Sequence, residues 1–202
     1  MEKIESRAKL SPESPPSPPP QEPVFTSAHG ALKFATNYVH GTLKKTFLAL
    51  ALGEGRIGRG LSGLDGAAQA GMICLELTNL SPLWRAILIA RFTVPTIPCP
   101  CHAPCCRGSR ENPDWALAVD YLTEYVLVAG LTGTISHHRL RRSLVKRYFG
   151  VRESFVDIAD MCGVHRTTAS EYNKDVVECF REIERLAFIA IEGRLKQAGI
   201  VA

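Results

Sequence analysis

Apolar residues recur at three- and four-residue intervals along most of this chain, the spacing of one helical face. Between Ser27 and Leu52, Leu32, Ala35, Tyr38 or Val39, Leu43, Phe47 and Leu50 form such a stripe, with Lys33, Lys44 and Lys45 on the other side. Leu64 to Leu80 repeats it through Ala67, Ala70, Ile73, Cys74 and Leu77. Ser81-Pro82 then offers a cap and a proline at the first helical position, where no backbone N–H is needed. It predicts a helix over Pro82 to Phe92 carrying Trp84, Ile87, Leu88 and Phe92, closed by Pro95 and Pro98. Asn112-Pro113-Asp114 is a second start of this kind, with an acid where the helix dipole favours one. Trp115, Val119, Leu122, Val126 and Ala129 follow, and Gly130 and Gly133 end the helix. Ser136 is placed to cap a helix from His137 to Phe149, with Leu140, Leu144, Val145 and Tyr148 inward and its arginines outward.

The most informative stretch is Ser154 to Asn173. Ser154 and Asp157 form a capping box. Phe155, Ile158, Ala159 and Cys162 share a face, and Gly163 follows where a left-handed backbone turns the chain. Val164 plugs the angle between two helices, and a second helix begins near His165. Ala169 and Tyr172 direct that helix inward and leave Arg166, Thr167, Ser170, Glu171, Asn173 and Lys174 outward. This is the layout of a helix-turn-helix, whose second helix carries the residues that read DNA. A further helix, Asp175 to Ala198, has two apolar stripes: Val176, Phe180, Ile183, Ala187 and Ala190, and Leu186, Ile189, Ile191 and Leu195. A helix apolar on two sides is covered on both, here by the DNA-binding helices and by the N-terminal region or a second subunit.

The expected fold is all-α. A helical N-terminal domain with a Cys-rich zinc loop precedes a helix-turn-helix and a long C-terminal helix. Residues 1–25 hold seven of the thirteen prolines and form a disordered tail. Residues 26–98 are the N-terminal helical region, 99–111 the cysteine loop, 112–133 a connecting helix, and 134–202 the DNA-binding region. Six glycines from Gly53 to Gly66 form a loop; its formal GxGxxG lacks the βαβ unit that a dinucleotide site requires.

The formal net charge is +4, but 134–150 holds Arg139, Arg141, Arg142, Lys146 and Arg147 without an acid. Placed directly before the helix-turn-helix, that excess suits phosphate contact. No secretory signal or membrane span is expected, and a reducing cytoplasm fits. Four of the seven cysteines, Cys99, Cys101, Cys105 and Cys106, fall within eight residues. Thiols that close in a reducing compartment point to a soft metal ion, Zn2+ in a structural role. The adjacent pair Cys105-Cys106 strains a four-thiolate arrangement, so His102, His137 and His138 stand as alternative ligands. No spacing supports a catalytic zinc, a catalytic cysteine or a carboxylate cluster. The chain is therefore expected to bind rather than catalyse.

The segment from Leu144 to Val176 resembles region 4 of sigma-70-type factors, through Arg147-Tyr148, Ile158-Ala159, Gly163-Val164 and Arg166. His165 stands where that family favours a serine cap. Together with the Cys-Cys-x-Gly loop and the closing EIERLAFIAIEGRLKQAG helix, the chain is similar to Q-type antiterminators, phage late-gene regulators that carry such a module. The resemblance implies a protein that binds DNA near a late promoter, joins paused RNA polymerase and lets it read through terminators. It assigns base reading to Arg166, Thr167, Ser170 and Glu171, and phosphate or polymerase contact to the basic helix. A conventional repressor or activator, a DNA recombinase or nuclease subunit, and a zinc-stabilised protein-interaction module are the alternatives. The oligomeric state stays open.

Overall fold

The computed structural model describes residues 23–38, 63–101, 107–129 and 137–202. Seven helices are described: α1 (Ala28–Tyr38), α2 (Gly63–Thr78), α3 (Pro82–Phe92), α4 (Pro113–Val128), α5 (His138–Tyr148), α6 (Phe155–Cys162) and α7 (Arg166–Gln197). The proline-rich tail up to residue 22, the continuation of the first helix through 52, the glycine run to residue 62, His102, Cys105, Cys106 and the 130–136 turn lie outside the described residues.

Local chemistry sets most helix boundaries. Ser81 Oγ accepts from the Trp84 N–H at 3.3 Å, and Asn112 Oδ1 accepts from the Asp114 N–H at 3.1 Å. Both caps precede a proline whose absent N–H leaves no donor to satisfy. α5 starts one residue later than expected, because His137 is the cap: its Nδ1 accepts from Leu140 N–H at 3.2 Å.

The all-α expectation needs one correction. Thr96–Pro98 (β1) and Ser109–Glu111 (β2) pair antiparallel, with Thr96 opposite Glu111 and Pro98 opposite Ser109. The hairpin clasps the cysteine loop, and Cys99 N–H donates to Gly108 O at 3.0 Å. Two buried amides hold the chain as it leaves α3. Asn37 of α1 donates to Phe92 O at 2.9 Å and accepts from Val94 N–H at 2.9 Å. Asn112 donates to Val94 O at 3.0 Å.

α3 lies at the centre, against α1, α4 and α7. Trp115 of α4 is buried there, and its indole N–H donates to Ala90 O at 3.1 Å. One continuous hydrophobic cluster runs from Phe25 through all seven helices to Val201. It crosses the boundaries expected near residues 98 and 134.

A second correction concerns α7. The helix expected to begin near His165 and the expected Asp175–Ala198 helix are one uninterrupted helix of 32 residues, about 48 Å long at 1.5 Å per residue. No glycine or proline occurs between Arg166 and Glu192, and the stripe Ala169, Val176, Phe180, Ala187, Ile191, Leu195 is buried throughout. Along that stripe α7 meets α6, α5, α3 and α2. The second face expected to be apolar meets the N-terminal helices through Ile191 and Leu195, while Leu186 and Ile189 are exposed.

Candidate nucleic-acid interface

The turn between α6 and α7 follows from three adjacent residues. Ser154 caps α6, accepting from Asp157 N–H at 3.1 Å and donating to its carboxylate at 2.6 Å. Gly163 ends α6 in the left-handed conformation, with φ +65°. Val164 N–H then bonds Ala159 O at 3.1 Å, and the half-buried Val164 side chain joins the edge of the core. His165 takes the cap position that a serine would fill. Its Nδ1 lies 2.9 Å from Thr167 Oγ1 and accepts weakly from Thr167 N–H at 3.4 Å.

Burial of Ile158, Ala159 and Cys162 on α6 and of Ala169 and Val176 on α7 fixes the rotation of both helices. The remaining face of α7 presents Arg166, Thr167, Glu171 and Lys174 fully to solvent, with Ser170 and Asn173 half-buried beside them. From Arg166 to Lys174 the helix rises about 12 Å, comparable to the width of a B-DNA major groove. Arginine, threonine, serine and glutamate supply both donors and acceptors for base edges.

The basic helix is arranged differently from its expected outward display. Arg141 is buried, 3% exposed; its Nε donates to Thr123 O at 3.3 Å and its guanidinium lies 3.6 Å from Glu124. Arg142 bonds Asp120 at 2.6 Å and Glu111 at 3.3 Å. Lys146 bonds Glu111 at 2.7 Å, with its ammonium 5.8 Å from the Trp115 ring centroid. Arg147 donates to Glu153 O and stacks on Phe155 at 4.2 Å. The physical reason is that α5 is flanked on two sides, by α4 with the hairpin and by α6 with α7. A side chain outside the apolar stripe therefore still meets protein. Burial alone would raise the Glu111 carboxyl, but Lys146 and then Arg142 hold it below the ordinary carboxylate range. Burial also opposes the Arg142 charge, yet Asp120 and then Glu111 leave its guanidinium more firmly protonated than usual. Of the five cations, Arg139 alone is exposed.

A cluster not foreseen from the sequence ties this module to the rest of the fold. Arg91 of α3 makes a two-pronged bond to Glu184 of α7, Nε to Oε1 at 2.6 Å and Nη2 to Oε2 at 2.7 Å. The Tyr148 hydroxyl of α5 donates to the same carboxylate at 2.6 Å, and Arg91 lies over the Tyr148 and Phe149 rings at 4.9 and 5.1 Å. Burial, then the bond to Glu184, pushes the Tyr148 hydroxyl well above its ordinary pKa. In the sequence the arginine and the glutamate lie 93 residues apart, and nothing local links them.

Cys99 and Cys101 bring their sulfurs to 3.1 Å of each other at the end of the hairpin. Of the three histidines considered as alternative ligands, the two described ones are engaged elsewhere: His137 caps α5, and His138 lies 3.4 Å from Glu124. Among the described residues, no group of three or more His, Cys, Asp and Glu is positioned to hold a metal ion. Asp120 and Glu124, the acids a nuclease reading would need with Asp114, face Arg142, and Arg141 with His138. Asp114 lies in the first turn of α4. Among the described residues, no helix is long and apolar enough to cross a membrane. No protein-family model matches the chain, and no curated protein matches it at a significant level.

Proposed function

We propose that the chain is a DNA-binding transcription regulator that inserts the start of α7 into the major groove. The carrying observation is the α6–Gly163–α7 turn, with Arg166, Thr167, Glu171 and Lys174 exposed on one capped helix while Ala169 and Val176 anchor it. In this reading Arg166 contacts guanine or phosphate, Thr167 and Ser170 donate or accept at base edges, and Glu171 accepts from a cytosine amino group. The resemblance to sigma region 4 sharpens the proposal to a phage late-gene antiterminator that binds bacterial RNA polymerase.

Zn2+ is the proposed structural ion of the hairpin loop. Cys99 and Cys101, side by side, are two soft donors of the right kind, and Cys105 and Cys106 would complete the set. When bound, the ion cross-links a loop that has no apolar core of its own. Elemental analysis of the purified protein, with Cys99→Ser and Cys101→Ser beside it, tests this. One zinc per chain, lost in both variants, is expected, and a metal-free native chain contradicts it.

Function is tested in two steps. A randomised duplex pool, selected on the full-length chain, should yield a preferred site. A purified transcription system with that site upstream of a terminator should then show read-through only when the protein is present. Altered initiation without read-through would favour a conventional repressor or activator. Retention of no duplex at low salt would favour an interaction module.

A further inference from the structure

We infer that the duplex backbone is held by four cations around the helix-turn-helix, Arg139, Arg152, Arg166 and Lys174, and not by the other cations of α5, Arg141, Arg142, Lys146 and Arg147. The inference rests on the DNA-binding reading above and names the residues that would engage phosphates.

Arg141, Arg142, Lys146 and Arg147 each have partners within the fold. Turning Arg142 or Lys146 towards a phosphate strips Asp120 or Glu111 of its counter-ion. One ion pair is exchanged for another, and little binding free energy remains. Arg141 cannot turn at all without opening the contact between α4 and α5.

The other four differ. All are exposed, and among the described residues none has a carboxylate within ion-pair distance. Arg166 opens α7 and Lys174 follows two turns later on the solvent side. Arg152 lies in the loop just before the Ser154 cap of α6. Arg139 is at the start of α5. The helix that carries it packs against both α6 and α7. Arg181 shares the face of Lys174 but lies about 22 Å along the helix from Arg166, beyond the depth of a groove. Between Arg152 and Asp175 the exposed acids are Asp157, Asp160, Glu171 and Asp175. Four acids against four cations give little general attraction to DNA, so affinity depends on aligned contacts.

Salt dependence reads this directly, because each neutralised phosphate adds about −0.9 to the slope of log K against log salt. The measurement is anisotropy of a labelled duplex, recovered from a randomised pool by the full-length chain, titrated between about 50 and 200 mM salt. Four contacts give a slope of about −3.6, whereas adding four from α5 would give about −7. Arg139→Gln and Arg152→Gln should each flatten the slope by about 0.9, and Arg142→Gln and Lys146→Gln should leave it unchanged. Circular dichroism confirms that each variant is folded. A slope near −7, or flattening by Arg142→Gln and not by Arg152→Gln, overturns the inference while leaving DNA binding intact. If a folded chain retains no duplex at any salt, the DNA-binding reading itself fails and this inference with it.

Discussion

Glu184 joins three helices at one point, and its removal should be felt throughout the molecule. In Glu184→Ala, Arg91 loses both bonds of its fork and Tyr148 loses its acceptor. Breaking a fully buried pair costs about 3–5 kcal/mol because a charge is left unpaired in a poor solvent. An exposed pair is worth at most about 1 kcal/mol. The Arg91 side chain is 33% exposed and remains stacked on Tyr148 and Phe149, so water recovers part of the guanidinium. That places Glu184→Ala between the limits, at about 2–3 kcal/mol. In a chain of this size the melting temperature should fall by roughly 5–10 °C. Tyr148→Phe removes one hydrogen bond and should cost about 1 kcal/mol. Chemical denaturation of wild type, Arg91→Ala, Glu184→Ala and the double variant separates the pair from its surroundings. The two losses should fall short of additivity by at least about 1 kcal/mol. Full additivity, or a Glu184→Ala protein that melts with the wild type, would refute the cluster as the link between α3, α5 and α7.

Three further outcomes follow from the same contacts. Gly163→Ala should cost about 1–2 kcal/mol, since an L-residue is strained at positive φ, although its Cβ would meet nothing within 4 Å. Gly163→Asn should cost less, and equal melting of all three proteins would contradict the left-handed turn. Glu111 is held below the ordinary carboxylate range by Lys146 and Arg142 against the effect of its own burial. Its contribution is therefore complete above the unfolded pKa of about 4.3 and is lost as pH falls through the lower folded value. A Glu111→Gln variant should lack that acid-sensitive component, and acid limbs that coincide in the two proteins would sink the assignment. Trp115→Phe deletes the indole donor to Ala90 O and part of a buried ring. A loss of about 1–3 kcal/mol is expected by denaturant titration; an unchanged midpoint would remove Trp115 from the centre of the core.

Short-range chemistry was the legible part of this fold. The caps at Ser81, Asn112 and Ser154 and the turn at Gly163 depend on residues within three positions of one another. The limits of α3 and the inward phase of Ala169 could therefore be read directly. The exposure of Arg166, Thr167, Glu171 and Lys174 on α7 follows from that phase. Longer-range relations could not be read in the same way. Thr-Ile-Pro and Ser-Arg-Glu are too short to show an alternating pattern, and their pairing spans the cysteine loop. Arg142 and Lys146 looked free because their partners Asp120 and Glu111 lie 22 and 35 residues away. The length of α7 was missed for a different reason. Polar Asn173, Lys174 and Asp175 resemble a break, but none of them stops a helix whose buried stripe continues on the far side. The candidate site was thus legible where it depends on helix phase. Which cations the fold itself engages was not legible, because their partners are distant in the sequence.

Binding of the full-length chain to its selected duplex, compared with Arg166→Ala at one fixed salt concentration, tests the central claim most directly. Arg166 is exposed at the first position of α7, so its removal should leave melting nearly unchanged. The expected result is a loss of about 1–3 kcal/mol, roughly 5- to 150-fold. A variant that binds the same duplex with wild-type affinity and preference would contradict the assignment of α7 as the reading helix.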